Sequence, residues 1–413
     1  MTNDPPLDVR LALSAGHCLQ EQDYPGAERF INRALAINPN CGFALNAHGL
    51  LLVRTGRETE ATAVYLRAIA LHPAEPNAYF NLASMHYCGG RLEETLAVLE
   101  QLFAKATCSS PVSAKIRSLA YRLCHQVQEG LAAKHHDAAC GAVEGFRRSI
   151  EDLTGCPVVV RSEDLPEDRA AVTQIALGCG RRQHVIRCSP SFPSLLQPHL
   201  LAQQLMRLEL AARASKTGKA RAFTTTPATQ PFLTRLVRLR RPHIRRLLDQ
   251  GYDERAIART AWDEVRALLL ALHSCPLELL VETSLRERLP ALASAQFLGM
   301  ARDFAEARDP SEVLEDEHII PRNLVRIGLA FDCVRAMHHG SLFANTSPLP
   351  LAYMRTEVYP LASKLWNCWQ AAAPSLGPGD VNRLVDAFAE VVRLRQAYEW
   401  IAPPAAWPDP PNP

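Results

Sequence analysis

The sequence predicts a mostly α-helical protein of the α+β class, and three observations lead to this prediction. Alanine and leucine, which favour helices, are abundant, whereas only 20 of the 413 residues are glycine. An apolar helical pattern repeats at a fixed interval near the N-terminus. Short β-branched runs typical of strands occur between residues 157 and 188, where the helical period gives way.

Length, composition and charge exclude several classes of protein. A chain of 413 residues with 47% hydrophobic and 21% charged residues predicts two or three folded domains rather than disorder. The net charge of +2 requires neither nucleic acid nor an anionic membrane as a partner. The twelve cysteines form no C-x-x-C pair, the first residues lack a basic and apolar leader, and the apolar runs are short for a membrane helix. We therefore expect a cytoplasmic protein with no membrane partner.

The N-terminal segment contains an internal repeat. Asn38-Pro39 and His72-Pro73 each close an alanine-rich amphipathic segment, and positions 39 and 73 are 34 residues apart. The same interval aligns further small and large apolar positions: Ala15, Gly49 and Ala83; Ala27, Ala61 and Thr95; Ile31, Tyr65 and Leu99; Ala34, Ala68 and Leu102. Turn residues fall between the helices of each pair at Asp23-Tyr24-Pro25, Gly56-Arg57 and Gly89-Gly90-Arg91.

Residues from Leu7 to Thr107 therefore resemble three tetratricopeptide repeats, with Thr95 and Thr107 departing from the usual alanine and proline. The resemblance implies a helical solenoid whose inner face comes from the first helix of each pair. That face includes Asn46, Asn77, Asn81 and Ser84. Two interpretations stay open, because period alone does not assign a binding site: a groove for a peptide or helix of a protein partner, or a docking surface for the rest of the chain.

The remaining chain divides into four predicted segments. Residues 111–155 form a helical connector, in which His135-His136 is a solvated pair rather than a metal site. Residues 156–300 contain a small sheet, from Pro157–Arg161, Ala171–Leu177 and His184–Cys188, and then a helix that starts near Pro198. Helices of residues 301–401 pack on that domain, and residues 402–413 form a flexible proline-rich tail.

The helix after the sheet reads Leu200-Leu201-Ala202-Gln203-Gln204-Leu205-Met206-Arg207-Leu208. This run resembles the L-x-A-H-E-L-M-H-L helix of gluzincin-type zinc peptidases, which implies a peptidase-like domain. The family's two zinc-binding histidines are replaced by Gln203 and Arg207, and its general base by Gln204. An amide is a poor zinc ligand, a guanidinium cannot coordinate, and Gln204 has no carboxylate to take a proton from water. We therefore predict no metal, no cofactor and no catalysis.

The family's third ligand is a glutamate of a later helix, and Glu282 matches it best, with Glu278 one turn earlier. We hypothesise that Arg207 occupies the former metal position and pairs with Glu282 or Glu278. In the alternative interpretation, Arg207 points to solvent and Glu282 pairs locally.

The predicted function is a non-catalytic scaffold that binds a protein or peptide through the repeats and through the catalytically silent cleft of the peptidase-like domain. One alternative is an active metal-dependent peptidase with displaced ligands, namely His199 and Glu282 together with His273 or Cys275. A third is a nucleic-acid-associated adaptor, because Arg213 to Arg246 contains ten Lys and Arg residues and no acidic one. The pair His338-His339, close to Asp332 and Cys333, is assigned no role.

Overall fold

The computed structural model describes residues 5–107, 110–166, 170–176, 182–224, 241–304, 308–316, 318–377 and 379–402. The described chain is mostly helical with a small sheet, which confirms the predicted fold class. It divides into two compact units: Met1–Leu131 with Phe343–Ser347, and Ala132–Leu342 with Pro348–Pro413. The tail from residue 403 onward lies outside the described residues.

The first unit begins with three helical hairpins and continues into a longer helix. The hairpins are α1 (Leu7–Gln20) with α2 (Tyr24–Ile37), α3 (Gly42–Arg54) with α4 (Glu58–Leu71), and α5 (Pro76–Cys88) with α6 (Leu92–Lys105), followed by α7 (Pro111–Lys134). Asp23 caps α2 by accepting a hydrogen bond from the Gly26 amide. Gly56 and Gly90 have positive φ angles in the two later turns, where a left-handed conformation favours glycine.

The 34-residue interval corresponds to a repeated packing pattern. The four sets of small and large packing positions that this interval aligns are all buried, from Ala15, Gly49 and Ala83 through to Leu102. At Gly49 an added Cβ would lie 2.5 Å from the Tyr65 ring, so only glycine allows these two helices to approach this closely. Thr95, the departure from alanine, satisfies its buried hydroxyl by donating to the Arg91 carbonyl oxygen.

The small sheet and the helix that contains residues 200–208, called the motif helix below, both belong to the second unit. After α8 (His136–Thr154) come β1 (Val158–Ser162), β2 (Ala171–Gln174) and β3 (His184–Cys188), with β3 in the centre, parallel to β1 and antiparallel to β2. The next helix is α9 (Gln197–Lys216). Its apolar residues share one core with α8, the sheet and the following long helix: Ala202, Leu205, Met206 and Leu208, with Val158, Ile186, Val281 and Leu285.

A larger core joins the rest of the second unit. It is built mainly by α11 (Glu254–Arg288), α14 (Arg322–Leu342), α15 (Tyr359–Ala372) and α16 (Val381–Val392). Shorter elements complete the unit: β4 (Ala222–Thr224), α10 (Arg241–Asp249), α12 (Ala293–Arg302), α13 (Pro310–Glu315) and β5 (Glu399–Ile401), with β4 and β5 antiparallel. Because α11 contributes to both cores, it connects the sheet-containing core to the core formed with the helices after residue 300.

Among the described residues, α11 is long and apolar enough by length and composition to cross a membrane. Half of its most apolar stretch is buried within the protein, and a core helix of a soluble protein passes the same test. This is weak evidence for a membrane span. The absence of a membrane partner and the cytoplasmic location therefore stay predictions.

Candidate functional site

Glu282, on α11, lies at the centre of a buried hydrogen-bond network at the motif helix. His199 Nε2 is 3.0 Å from one carboxylate oxygen, and Gln203 Nε2 donates to the other over 2.5 Å. Gln296 of α12 adds a third donor, 2.8 Å from the carboxylate. Both His199 and Glu282 are almost fully buried. The carboxylate that the resemblance implies as a metal ligand is therefore held by three side chains of the protein.

This environment keeps Glu282 ionised. Burial by itself would raise the pKa of its carboxyl group, but the charge and hydrogen bond of His199 and the amides of Gln203 and Gln296 lower the pKa to about 2. An ionised carboxylate can only accept hydrogen bonds, which matches the donor amides around it. The side chains around Glu282 therefore supply hydrogen bonds to both of its carboxylate oxygens.

Gln204, at the position of the family's general base, is used for packing between elements. The Thr173 hydroxyl of β2 donates to its side-chain oxygen over 3.0 Å. The amide nitrogen of Gln204 carries no basic lone pair, and its oxygen is a neutral acceptor, so this side chain cannot take a proton from water. The contact connects α9 to the edge strand of the sheet.

Arg207 lies beside Glu278 and not beside Glu282. Its terminal nitrogen is 3.7 Å from Glu278 Oε1, and its side chain is 35% exposed. Arg335 of α14 approaches the same carboxylate more closely, with Nε 2.5 Å from Oε2, and also bonds Asp332. Of the two partners hypothesised for Arg207, the structure therefore places Glu278 beside it, whereas His199, Gln203 and Gln296 surround the carboxylate of Glu282.

The residues at this site do not fit the zinc ion that the resemblance implies. Gln203 turns its amide nitrogen, a donor, toward Glu282, and Arg207 places a cation one turn further along α9. His199 and Glu282 are adjacent, but His273 packs against the rings of Phe223 and Trp400, and the Cys275 thiol donates to a backbone carbonyl. Within the described ranges, no three His, Cys, Asp or Glu residues are grouped to hold a metal.

A charged cleft opens beside this network. A cavity of about 110 Å³ is lined by Gln203, Arg207, Glu278, Glu282, Asp303, Arg335 and His338, among others. A second cavity, of about 260 Å³, shares Glu278, Asp303 and Arg335 and extends to Asp332 and Tyr353. Burial lowers the pKa of His338 to about 4, so this imidazole is neutral near pH 7.

In the first unit, the predicted inner-face residues meet across two helices. Asn46 of α3 and Asn77 of α5 line one cavity of about 190 Å³, and Asn81 donates its amide to Asn46 over 3.0 Å. Ser84 follows on α5 and is half-buried. Phe43, which the sequence did not single out, lines the same cavity and is 51% exposed.

Three cations of the basic stretch, Arg213 to Arg246, bond within the protein. Arg213 pairs with Glu209, Lys216 donates to a backbone carbonyl, and Lys219 pairs with Asp380. Residues 225–240 lie outside the described chain. The nucleic-acid prediction therefore stays untested.

Comparisons with known proteins add no family: no family model matches the chain, and no curated protein shows significant similarity to it. The likeness to tetratricopeptide repeats and to gluzincin-type peptidases thus rests on the residues quoted above.

Proposed function

We propose that this protein is a non-catalytic scaffold that binds an extended peptide or a helix of a protein partner on α3 and α5. The observation that carries the proposal is the exposed ring of Phe43 beside Asn46 and Asn77 in one cavity. An exposed aromatic side chain offers apolar contact area at small entropic cost, and asparagine amides can both donate to and accept from a peptide backbone. Such a combination suits recognition of a polypeptide segment.

The saturated carboxylate of Glu282 supports the non-catalytic part of the proposal. Hydrolysis by the mechanism that the resemblance implies needs a Lewis acid and a base that deprotonates water. At those positions the chain carries a donor amide and a cation, and Gln204 accepts from Thr173. A peptidase that used His199 and Glu282 would have to break the network that holds them.

The experiment is a selection of random displayed peptides on the full chain, followed by binding measurements on two variants. Phe43→Ser removes the exposed ring from α3, whereas Leu66→Ser removes a side chain that is 53% exposed on α4. We expect selected peptides to lose at least tenfold in affinity with Phe43→Ser and to bind Leu66→Ser like the original chain. Equal affinities for all three proteins, or a selection without enriched peptides, would refute the proposal.

A further inference from the structure

Arg207 lines a further cavity, separate from the charged cleft beside Glu282. It has a volume of about 200 Å³ and lies wholly within the second unit. Its apolar wall includes Leu210 of α9, Leu277 of α11 and Val381 of α16. Pockets of mainly apolar lining with a few converging polar groups are typical of small-molecule sites.

The titratable side chains on the described wall of this cavity are all basic: Arg207, Lys219, Arg221 and His273. Lys219 is compensated by Asp380, 3.0 Å away. Arg221 instead donates to the backbone carbonyls of Gly218 and Ala220, which leaves its positive charge without a carboxylate partner in the described chain.

Arg207 is also incompletely compensated. Its Nε is shielded from solvent and has no hydrogen-bond partner, although a buried donor of this kind is costly to leave unpaired. The carboxylate nearest to its terminal nitrogen, Glu278 at 3.7 Å, is held more closely by Arg335 at 2.5 Å. Burial lowers the pKa of His273, and the charge of Arg207 lowers it further.

The first turn of α16 also lines the cavity, and the charge of Asp380, the residue before this helix, is paired with Lys219. Gly379, Val381 and Asn382 line the cavity where this helix begins, and the amide groups of a helix N-terminus favour a negative charge. Arg207, Arg221, the start of α16 and an apolar wall thus line one cavity. An inorganic anion would use only part of this lining.

We propose that this cavity binds a small carboxylate with an aliphatic body. The carboxylate lies between Arg207 and Arg221, whose planar guanidinium groups match its geometry, and the body rests on Leu210, Leu277 and Val381. This inference is independent of the proposed peptide groove, which belongs to the first unit. Arg207, which lines this site, stands at the position of the second histidine of the resembled motif.

The probe is hexanoate, titrated into the full chain and followed by ligand-observed nuclear magnetic resonance. For a ligand of this size we expect a Kd on the order of 1 mM. Hexanamide has the same shape without the charge and should bind at least tenfold more weakly, as should acetate, which lacks the body. Equal binding of hexanoate and hexanamide would overturn the proposal. So would the absence of hexanoate binding at a concentration on the order of 10 mM, tenfold above the expected Kd.

Two variants separate the site from general charge effects. Arg221→Gln changes an exposed residue and should weaken hexanoate at least tenfold. Arg213→Gln removes the same charge from α9 outside the cavity and should leave the affinity unchanged. Equal weakening by both variants would mean that hexanoate responds to net charge alone, which contradicts the proposal.

The carboxylate could also be the C-terminus of a polypeptide. A tetrapeptide ending in leucine, with a free or an amidated C-terminus, forms the second arm of the titration. Displacement of hexanoate by the free acid and not by the amide would assign the site to a peptide terminus. Binding of hexanoate without displacement by either peptide would assign it to a small molecule.

Discussion

Gln203 of α9 donates a hydrogen bond from its side-chain amide to Glu282 of α11 over 2.5 Å, and the two residues are 79 apart in sequence. In the resemblance to gluzincin-type peptidases, these two residues stand at the positions of the first histidine ligand and of the glutamate ligand. A hydrogen bond between an amide and an ionised carboxylate holds the same two helices that a metal would join, and it needs no ion. One turn further on α9, Arg207 lies beside Glu278, one turn earlier on α11.

Replacing Glu282 should destabilise the protein and change its response to acid. Because the pKa of Glu282 falls from 4.5 to about 2 on folding, the unfolded chain binds more protons between these values. The stabilisation is present above about pH 4.5 and is lost as the pH falls toward 2. It amounts to on the order of 3 kcal/mol.

The variant Glu282→Gln should therefore lower the free energy of unfolding at pH 7 by about 3 to 5 kcal/mol, since His199 loses its buried partner. Urea unfolding followed by circular dichroism at several pH values measures this. In the variant, the decline of stability between pH 4.5 and 2 should be smaller than in the original chain. Glu60→Gln, which alters an exposed pair with Arg57, is the control, and an unchanged acid response in Glu282→Gln would contradict the prediction.

His338 should control stability in a higher pH range. Burial lowers its pKa from 6.5 to about 4, so the folded protein keeps this imidazole neutral where the unfolded chain protonates it. The unfolded state thus binds more protons between pH 6.5 and 4, and stability falls as the pH falls through this range. His338→Gln should flatten that part of the curve, whereas His135→Gln, at an exposed position, should not. The same urea measurements decide the point, and a steep decline that persists in His338→Gln would count against it.

The sequence predicts the parts of the fold and site that depend on local pattern. The 34-residue interval and the strand at His184–Cys188 follow from helical and strand periodicity, and Glu282 follows from the motif. Gln296, Asp303 and Arg335 could not be predicted, because they come from distant segments of the chain that carry no motif. The motif offered both Glu278 and Glu282 as partners of Arg207, and the amide of Gln296, which reaches Glu282 from α12, gave no signal in the sequence.

Placing histidines at the two motif positions on α9 should give the protein a zinc site. Gln203 and Arg207 are one turn apart on α9, and they contact Glu282 and Glu278, respectively, so histidines at both positions would lie beside these two carboxylates. We expect the double variant Gln203→His/Arg207→His, purified without an affinity tag, to bind close to one equivalent of zinc. The original chain should bind far less, measured by elemental analysis after dialysis.

The control for this experiment is Arg207→His alone, which places one histidine beside Glu278 and leaves the donor amide of Gln203 on Glu282, so it should retain little zinc. One equivalent of zinc in the original chain, with proteolysis that a chelator stops, would instead favour a peptidase that uses His199 and Glu282.

Gly49 should be the position at which the N-terminal repeat tolerates a methyl group least. In Gly49→Ala the new Cβ would be placed 2.5 Å from the Tyr65 ring, which is fully buried and cannot move aside without shifting α4. Overpacking of this kind costs about 1 to 3 kcal/mol, more than the gain of up to about 1 kcal/mol from replacing a helical glycine by alanine. The variant should therefore unfold at a lower temperature than the original chain.

Gly16→Ala is the matched control, because Gly16 is also helical, on α1, and an added Cβ there meets no atom within 4 Å. It should leave stability unchanged or raise it by up to about 1 kcal/mol. Calorimetric melting of both variants separates helix propensity from packing, since propensity acts alike at the two sites. If Gly49→Ala were as stable as Gly16→Ala, the close approach of α3 and α4 at Tyr65 would not limit the residue at this position.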